Sequence, residues 1–375
     1  MKKLVAILVA LVMVVGLVAT AVPVTAAEPK NIKVDVFWYT FSDTYLTSVR
    51  NAMQEALEDI DYIDATMHDS EEKQDLQTDK IQTAITQGTD LLVVNIVTTG
   101  SEEAAQAIVD LAREADIPII FFNREVSDDV INSYEQAAFV GTDADEAGYM
   151  QGQAVAEFLL KDDNIEKYDL DGDGEIKYIM FRGEHGNAEA FGRTKYSVEE
   201  ANRLLEEAES EVRLVPSKAN QTSSQYEDDG ISNYFLYGNW SATEAADLMR
   251  TALSTYNLTD GEIELILANN DDQAIGAIEA MNENGFNDGK EGSGYIPVFG
   301  GDATAVAIDN IENGKMTGTI LQDGPAMAEG ILLLAQNIAH GEDLMANTED
   351  FNIDEGVNKI RIPYAIVSES VESEE

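Results

Sequence analysis

Short apolar runs alternate with amphipathic helical stretches along most of the chain. Residues 32–39, 91–97 and 117–123 are rich in β-branched and aromatic side chains, which is typical of strands buried on both faces of a parallel sheet. The same rhythm resumes later, and further strands are predicted at 176–181, 212–216, 263–268, 296–300 and 319–321. Helices are predicted at 44–57, 71–86, 101–114, 197–207, 242–256, 272–282 and 303–312. This alternation predicts a doubly wound α/β fold with enough elements for two sheets.

Length and composition agree with a globular protein of two domains. The chain has 375 residues, and 44% of them are hydrophobic, which is enough to fill two cores. With 71 acidic against 23 basic residues, the formal charge is −48. This argues against nucleic acid or an anionic membrane as a partner, because both require clustered Lys and Arg. The absence of cysteine excludes disulfides, thiol catalysis, cysteine-ligated metals and lipid attachment to an N-terminal cysteine.

The first 27 residues have the features of a secretory signal peptide. Lys2 and Lys3 precede a long apolar run, and small residues lead up to Ala26 and Ala27, where cleavage would fit. An uncleaved membrane anchor is the alternative, because the apolar run is long. We expect an exported protein, periplasmic or extracellular, that is soluble after cleavage.

Polar side chains stand where several of the predicted strands end. Ligands bind at strand ends in doubly wound folds, and convergent carboxylates and amides suit a neutral polyol. The alternative is that these residues cap the helices that follow, which explains any one of them but less easily so many. The residues are Asn123, Glu184, Asn269, Asn270, Asp271, Asp302, Gln322 and Asp323.

An oxygen-rich loop begins at Asp169. Asp171 and Asp173 occupy its third and fifth positions and a glycine its sixth, a spacing that can wrap carboxylate oxygens around Ca²⁺. An EF-hand would place a glutamate at position twelve, where Met180 stands, and the segment after the loop has the pattern of a strand. The spacing therefore leaves two alternatives, a calcium loop completed from elsewhere in the chain or an acidic turn. Lys177 at position nine weakens the first, because an ammonium group cannot coordinate a cation.

A series of motifs, in this order and around the acidic loop, gives the chain a family resemblance. They are residues 121–125 (FFNRE), 140–143 (VGTD), 183–194 (GEHGNAEAFGRT), 268–271 (ANND), 296–302 (IPVFGGD), 318–323 (GTILQD) and 361–364 (RIPY). The chain resembles the periplasmic galactose/glucose-binding proteins of bacterial ABC transport and chemotaxis, which belong to the ribose-type sugar-binding proteins. The resemblance covers residues 31–367.

The resemblance implies the type I periplasmic-binding-protein fold, which has two Rossmann-like lobes joined by three hinge crossings. The crossings would lie near 141–144, 322–325 and 360–362. The N-terminal lobe would comprise residues 28–142 and 324–360, and the C-terminal lobe residues 143–323 and 361–375.

The resemblance also implies a sugar site. Asp43 matches the carboxylate that holds the 4-hydroxyl, Tyr45 the aromatic residue on one sugar face, and Trp240 the indole on the other. An aromatic platform suits the C–H face of a pyranose in any protein, although a tryptophan alone is more often a core residue. The other matched positions are Asn123, Asn187, Glu189, Arg193, Asn270, Asp302 and Gln322.

The pocket departs from the family pattern at four positions. Asn187 and Glu189 stand where the family has His and Asp, Gln322 replaces Asn, and Tyr45 replaces Phe. A buried hydroxyl without its partner costs about 1–3 kcal/mol, so such changes can redirect preference. We expect a galactose- or glucose-like hexose, with a pentose or another small polyol as the alternative.

For the acidic loop the resemblance implies a structural calcium ion. The ligands that it implies are Asp169, Asp171, Asp173, Glu175 through its backbone carbonyl, and Glu264 as a distant bidentate carboxylate. Lys177 stands where the family has a glutamine ligand. The alternative is that Lys177 partly neutralises the carboxylates without a metal.

The function implied is that of a non-catalytic, monomeric receptor that closes on a monosaccharide by hinge bending. An ABC permease would receive the sugar, and a chemoreceptor is a second candidate partner. One rival is a glycoside hydrolase that uses carboxylates such as Asp43 and Glu189. Another is a gene regulator of the same fold, against which the signal peptide and the lack of a basic DNA-binding head both argue.

Overall fold

The computed structural model describes residues 28–220 and 235–368. The predicted signal peptide lies outside the described residues. Within them, none of the helices has the length and apolar character required to cross a bilayer.

The strands form two sheets. The first contains β1 (Ile32–Trp38), β2 (Ile63–Asp69), β3 (Leu91–Val94), β4 (Ile119–Phe122), β5 (Ala137–Gly141), β12 (Asn352–Ile353) and β13 (Lys359–Arg361), in the order β12-β13-β5-β4-β3-β1-β2. The second contains β6 (Glu175–Arg182), β7 (Arg213–Pro216), β8 (Leu236–Tyr237), β9 (Leu265–Ala268), β10 (Val298–Phe299), β11 (Gly318–Gln322) and β14 (Tyr364–Ser368). Its order is β14-β11-β10-β9-β6-β7, with β8 also paired to β6. In the described part of the chain, the pairs are parallel except β12–β13 and β11–β14.

Helices cover both faces of each sheet. They are α1 (Thr44–Leu57), α2 (Gln74–Gln87), α3 (Glu102–Ala115), α4 (Asp128–Asn132), α5 (Ala144–Leu160), α6 (Asn164–Tyr168), α7 (Ala188–Glu207), α8 (Ala242–Leu253), α9 (Asp271–Asn282), α10 (Ala305–Glu312) and α11 (Gly324–His340). In β3, Leu91 and Val93 face the core under α1 and α11, whereas Leu92 and Val94 face the core under α2 and α3. Burial on both faces explains why the central strands are continuous apolar runs. The prediction of a doubly wound α/β fold with two sheets is confirmed.

The chain passes between the sheets three times. It leaves the first sheet at Gly141 to enter α5, leaves the second at Gln322 to enter α11, and passes from β13 to β14 after Arg361. Helix α5 packs on α7 and the second sheet, whereas α11 packs on α1 and the first. The predicted crossings lie at or beside these passages, and the exact lobe boundaries stay predictions.

Helices α5, α7 and α11 differ most from the sequence-based prediction. The predicted helices include neither α5 nor α11, and α7 begins at Ala188 rather than at residue 197. Helices α5 and α7 pack so closely that a Cβ on Gly148 would lie 2.3 Å from the carbonyl oxygen of Gly192. The glycines that permit this contact lower helix propensity, so the sequence pattern of these stretches does not look helical.

Candidate ligand-binding site

A cavity lies between the two sheets, where the strands of both end. It is lined by Tyr39, Asp43, Tyr45, Asn123, Arg124, Asn187, Glu189, Arg193, Trp240, Asn270, Asp302 and Gln322. All ten residues predicted to bind sugar are among them, and Tyr39 and Arg124 were not predicted. The structure therefore brings the predicted residues together, while their role in binding stays a prediction.

Three of the lining residues are also helix caps. The Oδ1 atoms of Asp43, Asn187 and Asn270 each accept a hydrogen bond from a backbone N–H in the first turn of the helix that follows, at 2.7, 2.9 and 3.0 Å respectively. Capping occupies one end of each side chain and fixes its direction. Capping and site formation are therefore not alternatives here, because the cap holds the side chain at the cleft.

The Trp240 indole lies against the backbone of Gly183. A Cβ at Gly183 would lie 2.3 Å from the ring, so only glycine permits this contact. The Trp240 carbonyl accepts a hydrogen bond from Asn270 Nδ2 at 3.2 Å, which further fixes the residue. Tyr45, on α1 of the first lobe, is buried, and burial raises the pKa of its phenol well above the usual value. An aromatic side chain from each lobe thus lines the cleft.

The Arg193 guanidinium is the most highly connected group of the site. Its Nη1 donates to the backbone carbonyl of Asn269 at 2.7 Å and to Asp302 Oδ1 at 3.2 Å. Its Nη2 donates to Gln322 Oε1 and to the Tyr364 hydroxyl, both at 3.0 Å. These partners come from four different strand ends, so one buried side chain ties the loops of the second sheet together.

Thr142 closes a ring of hydrogen bonds around this guanidinium. Its hydroxyl lies 2.8 Å from the Tyr364 hydroxyl and accepts from Gln322 Nε2 at 3.2 Å. Thr142 stands at the first passage between the sheets, Gln322 at the second and Tyr364 at the third. A side chain of the cleft, Arg193, is therefore bonded directly or through one residue to all three passages.

Glu189 and Arg193 present unused hydrogen-bonding atoms at the cavity. Glu189 is only 5% exposed, yet neither of its carboxylate oxygens has a hydrogen-bond partner among the described residues. Arg193 Nε also lacks an acceptor among the residues that the structure describes. Burial raises the pKa of Glu189 to about 6, and the Glu125 carboxylate adds to this, whereas Arg193 and Arg124 oppose it. A buried acceptor pair and a buried donor thus remain for a ligand.

Arg124 joins the two lobes across the cleft. Its Nη2 lies 2.8 Å from Glu184 Oε2, which follows a strand of the other sheet, and its Nη1 donates to the carbonyl of Val97 at 2.6 Å. Its guanidinium stacks on the Tyr39 ring at 3.7 Å. The sequence signal was available, because Arg124 directly follows Asn123 in the FFNRE motif.

Further contacts join the lobes beside this ion pair. Thr44 Oγ1 donates to Asp272 Oδ2 at 2.8 Å. A Cβ on Gly100 would lie 2.5 Å from the carbonyl oxygen of Gly186, so the two backbones touch. The cleft is therefore closed, with the two lobes in contact around its mouth.

The acidic loop lies apart from the cleft, at the start of β6. Asp169, Asp171 and Asp173 each offer a carboxylate oxygen within 4.8 Å of the others. Glu264 lies beside them, and its two oxygens accept hydrogen bonds from the backbone N–H groups of Leu170 and Lys177. Calcium at this loop stays a prediction.

The Glu175 side chain points to another partner. Its Oε1 accepts a hydrogen bond from Arg213 Nη2 at 2.5 Å. The prediction assigned Glu175 a backbone-carbonyl role, so this ion pair does not bear on it.

Two α/β lobes joined by three passages, with polar and aromatic side chains converging between them, define a two-lobe ligand-binding protein. A family model described as "Periplasmic binding protein domain" matches residues 34–343. The chain belongs to this family, and the resemblance found in its motifs is confirmed at this level.

Known relatives extend over nearly the whole chain. The D-galactose/methyl-galactoside binding periplasmic protein MglB of Haemophilus influenzae is 30% identical over 340 residues, which cover 91% of this chain and 90% of that protein. A putative rhizopine-binding protein of Rhizobium meliloti is 26% identical, and the match covers 95% of this chain and 96% of that protein. Among solved structures, an ABC transporter solute binding protein from Bacillus halodurans with bound myo-inositol has a TM-score of 0.66 and 24% identity, covering 91% of this chain and 96% of its own.

Replacing Tyr364 by Phe should destabilise the fold, because it removes the hydroxyl that bonds both Arg193 and Thr142. We expect a loss of about 1–3 kcal/mol in the free energy of unfolding, measured by urea denaturation. Tyr149→Phe is the matched control, since Tyr149 is 44% exposed on α5 and should change the value little. Equal free energies of unfolding for the two variants would contradict the stabilising role given to the ring of hydrogen bonds around Arg193.

Proposed function

We propose that this protein is an exported receptor that captures a small uncharged polyol, a hexose in the first instance, between its lobes. The observation that carries the proposal is the pair of buried groups without partners, Glu189 and Arg193 Nε. A hydroxyl group can donate to a carboxylate and accept from a guanidinium, so adjacent ligand hydroxyls satisfy both. Leaving these groups unsatisfied costs free energy, which a polyol recovers on binding.

A hexose is the first candidate ligand within this class. The Haemophilus influenzae relative is named for D-galactose and methyl-galactoside, which favours a hexose. However, Asn187, Glu189, Gln322 and Tyr45 line the cavity at positions where the family pattern has other residues. A pentose or another small polyol is therefore the second candidate.

Closure of the lobes produces the form of the receptor that its partner proteins recognise. The cavity takes residues from both lobes, and the closed form adds the Arg124–Glu184 ion pair across the cleft. A ligand that contacts both lobes favours the closed form over any open one, which is the requirement for ligand-driven closure. In the proposal, an ABC permease takes the sugar from the closed, monomeric receptor, and a chemoreceptor reads the same form.

The contacts of Asp43 disfavour the alternative of a glycoside hydrolase. Glycoside hydrolysis requires one carboxyl as acid and a second as nucleophile or base. The Asp43 carboxylate is already engaged on both sides, by the backbone N–H of Leu46 at 2.7 Å and by the Tyr39 hydroxyl at 2.8 Å. This argues against a catalytic role for Asp43.

Tryptophan fluorescence can test the proposal directly. The chain has two tryptophans, and Trp38 is fully buried in the core, so a ligand-dependent change should report on Trp240. Titration with D-galactose, D-glucose, D-xylose and myo-inositol should give a saturable change for at least one of them. Trp240→Phe should abolish the signal. Failure of every uncharged polyol, or sustained release of nitrophenol from aryl glycosides, would contradict the proposal.

The affinity should depend on pH through Glu189. Ligand hydroxyls that donate to its carboxylate favour the ionised form, so the pKa with ligand bound lies below the value of about 6 that Glu189 has in the closed structure without ligand. The affinity should therefore be constant above that pH and fall as the pH drops through it, by up to about tenfold per unit. Isothermal titration calorimetry from pH 8 to pH 5 measures this.

Glu189→Gln should bind more weakly at neutral pH and lose this pH dependence. Glu207→Gln is the matched control, because Glu207 is an exposed residue of the same helix and should behave as the wild type. A wild-type pH profile in Glu189→Gln would show that another group is responsible.

A further inference from the structure

Backbone amides satisfy most of the carboxylate oxygens in the acidic cluster, which we define as Asp169, Asp171, Asp173 and Glu264. Asp169 accepts from the N–H groups of residues 173 and 174 at 3.1 and 3.0 Å. Asp173 Oδ1 accepts from the N–H of residue 175 at 2.9 Å. The two oxygens of Glu264 accept from those of residues 170 and 177 at 2.7 and 2.8 Å.

The Lys177 ammonium group takes every oxygen that the backbone leaves. Its Nζ donates to Asp171 Oδ1 and Oδ2 at 3.3 and 3.1 Å, and to Asp173 Oδ2 at 2.8 Å. With these three contacts, each of the eight carboxylate oxygens of the cluster accepts a hydrogen bond from the protein itself.

The strand register fixes Lys177 in this place. Its backbone N–H donates to the Glu264 carboxylate, and its carbonyl accepts from the Glu264 N–H at 2.8 Å. The side chain is only 11% exposed, so it runs back over the loop and is not free in solvent. The lysine is therefore built into the cluster from both its backbone and its side chain.

This donor set does not fit a calcium ion. Calcium requires six to eight oxygen ligands, and an ammonium group offers none. An ion among the aspartates would also lie close to a positive charge that already bonds two of them. One ammonium group neutralises less of the negative charge of the carboxylates than a divalent ion would. The backbone N–H groups stabilise the carboxylate charge that remains.

We propose, in place of the calcium predicted from the sequence, that the Lys177 ammonium is the resident cation of this loop. The start of β6 and its junction with Glu264 are then held together without metal. The side chain at position nine of the loop, here Lys177, decides which cation the loop binds. The spacing of the carboxylates alone suits both a calcium ion and an ammonium group.

The wild-type protein gives the first test. Its thermal unfolding temperature should be the same in excess chelator and in millimolar calcium, because a ligand stabilises only what it binds. Isothermal titration calorimetry with calcium chloride should show no saturable heat. Stabilisation by calcium, or stoichiometric calcium binding, would overturn the proposal.

Lys177→Gln gives the second test, because it exchanges the ammonium for a side chain with a carbonyl oxygen. In chelator this variant should unfold at a lower temperature than the wild type, and calcium should restore part of the loss. Lys290→Gln is the matched control, since Lys290 pairs with Asp288 in an exposed loop and should respond to neither reagent.

An unfolding temperature of Lys177→Gln in chelator equal to that of the wild type would overturn the proposal, because the ammonium would then contribute nothing. If the variant does not fold in chelator, refolding in calcium and comparison with the wild type supply the same readout.

Discussion

The buried guanidinium of Arg193 is the interaction on which the rest of the site depends. A buried charge without partners is costly, so the loops that end the strands of the second sheet must converge on it. They do so through the Asn269 carbonyl and the side chains of Asp302, Gln322 and Tyr364. The same bonds run on to Thr142 at the first passage between the lobes. Among the described residues, Nε is the one nitrogen of this guanidinium without an acceptor, and Arg193 and Glu189 both line the cleft.

The sequence predicts most of the central strands, because central parallel strands must be apolar on both faces. It does not predict β5, which is also fully buried, and it misses most of the strands at the sheet edges. Strand β2 lies at the edge of its sheet, and its apolar residues alternate with polar ones. Helix α5 contains glycines that its close contact with α7 requires. Motif resemblance located ten cleft residues but not the role of Arg124. That role depends on Glu184, sixty residues away in sequence, and becomes visible only when the lobes are placed together.

Two competing interpretations of the sequence turn out to describe the same residues. Asp43, Asn187 and Asn270 cap helices and line the cleft at once, so the helix starts fix the direction of these side chains at the cleft. At the acidic loop, by contrast, the two interpretations name different cations, and our proposal assigns the place to the Lys177 ammonium, which bonds Asp171 and Asp173. The spacing of the three aspartates serves either cation, so in the proposal the residue at position nine decides between them.

The central claim is that Glu189 and Arg193 Nε are left for the hydroxyl groups of a polyol. A crystal structure of the protein grown with its tightest-binding polyol tests this most directly. We predict one ligand in the cleft, with its hydroxyls donating to the Glu189 carboxylate and accepting from Arg193 Nε, and its apolar face against Trp240. A ligand bound outside the cleft, or inside it with both groups still without partners, would contradict the account.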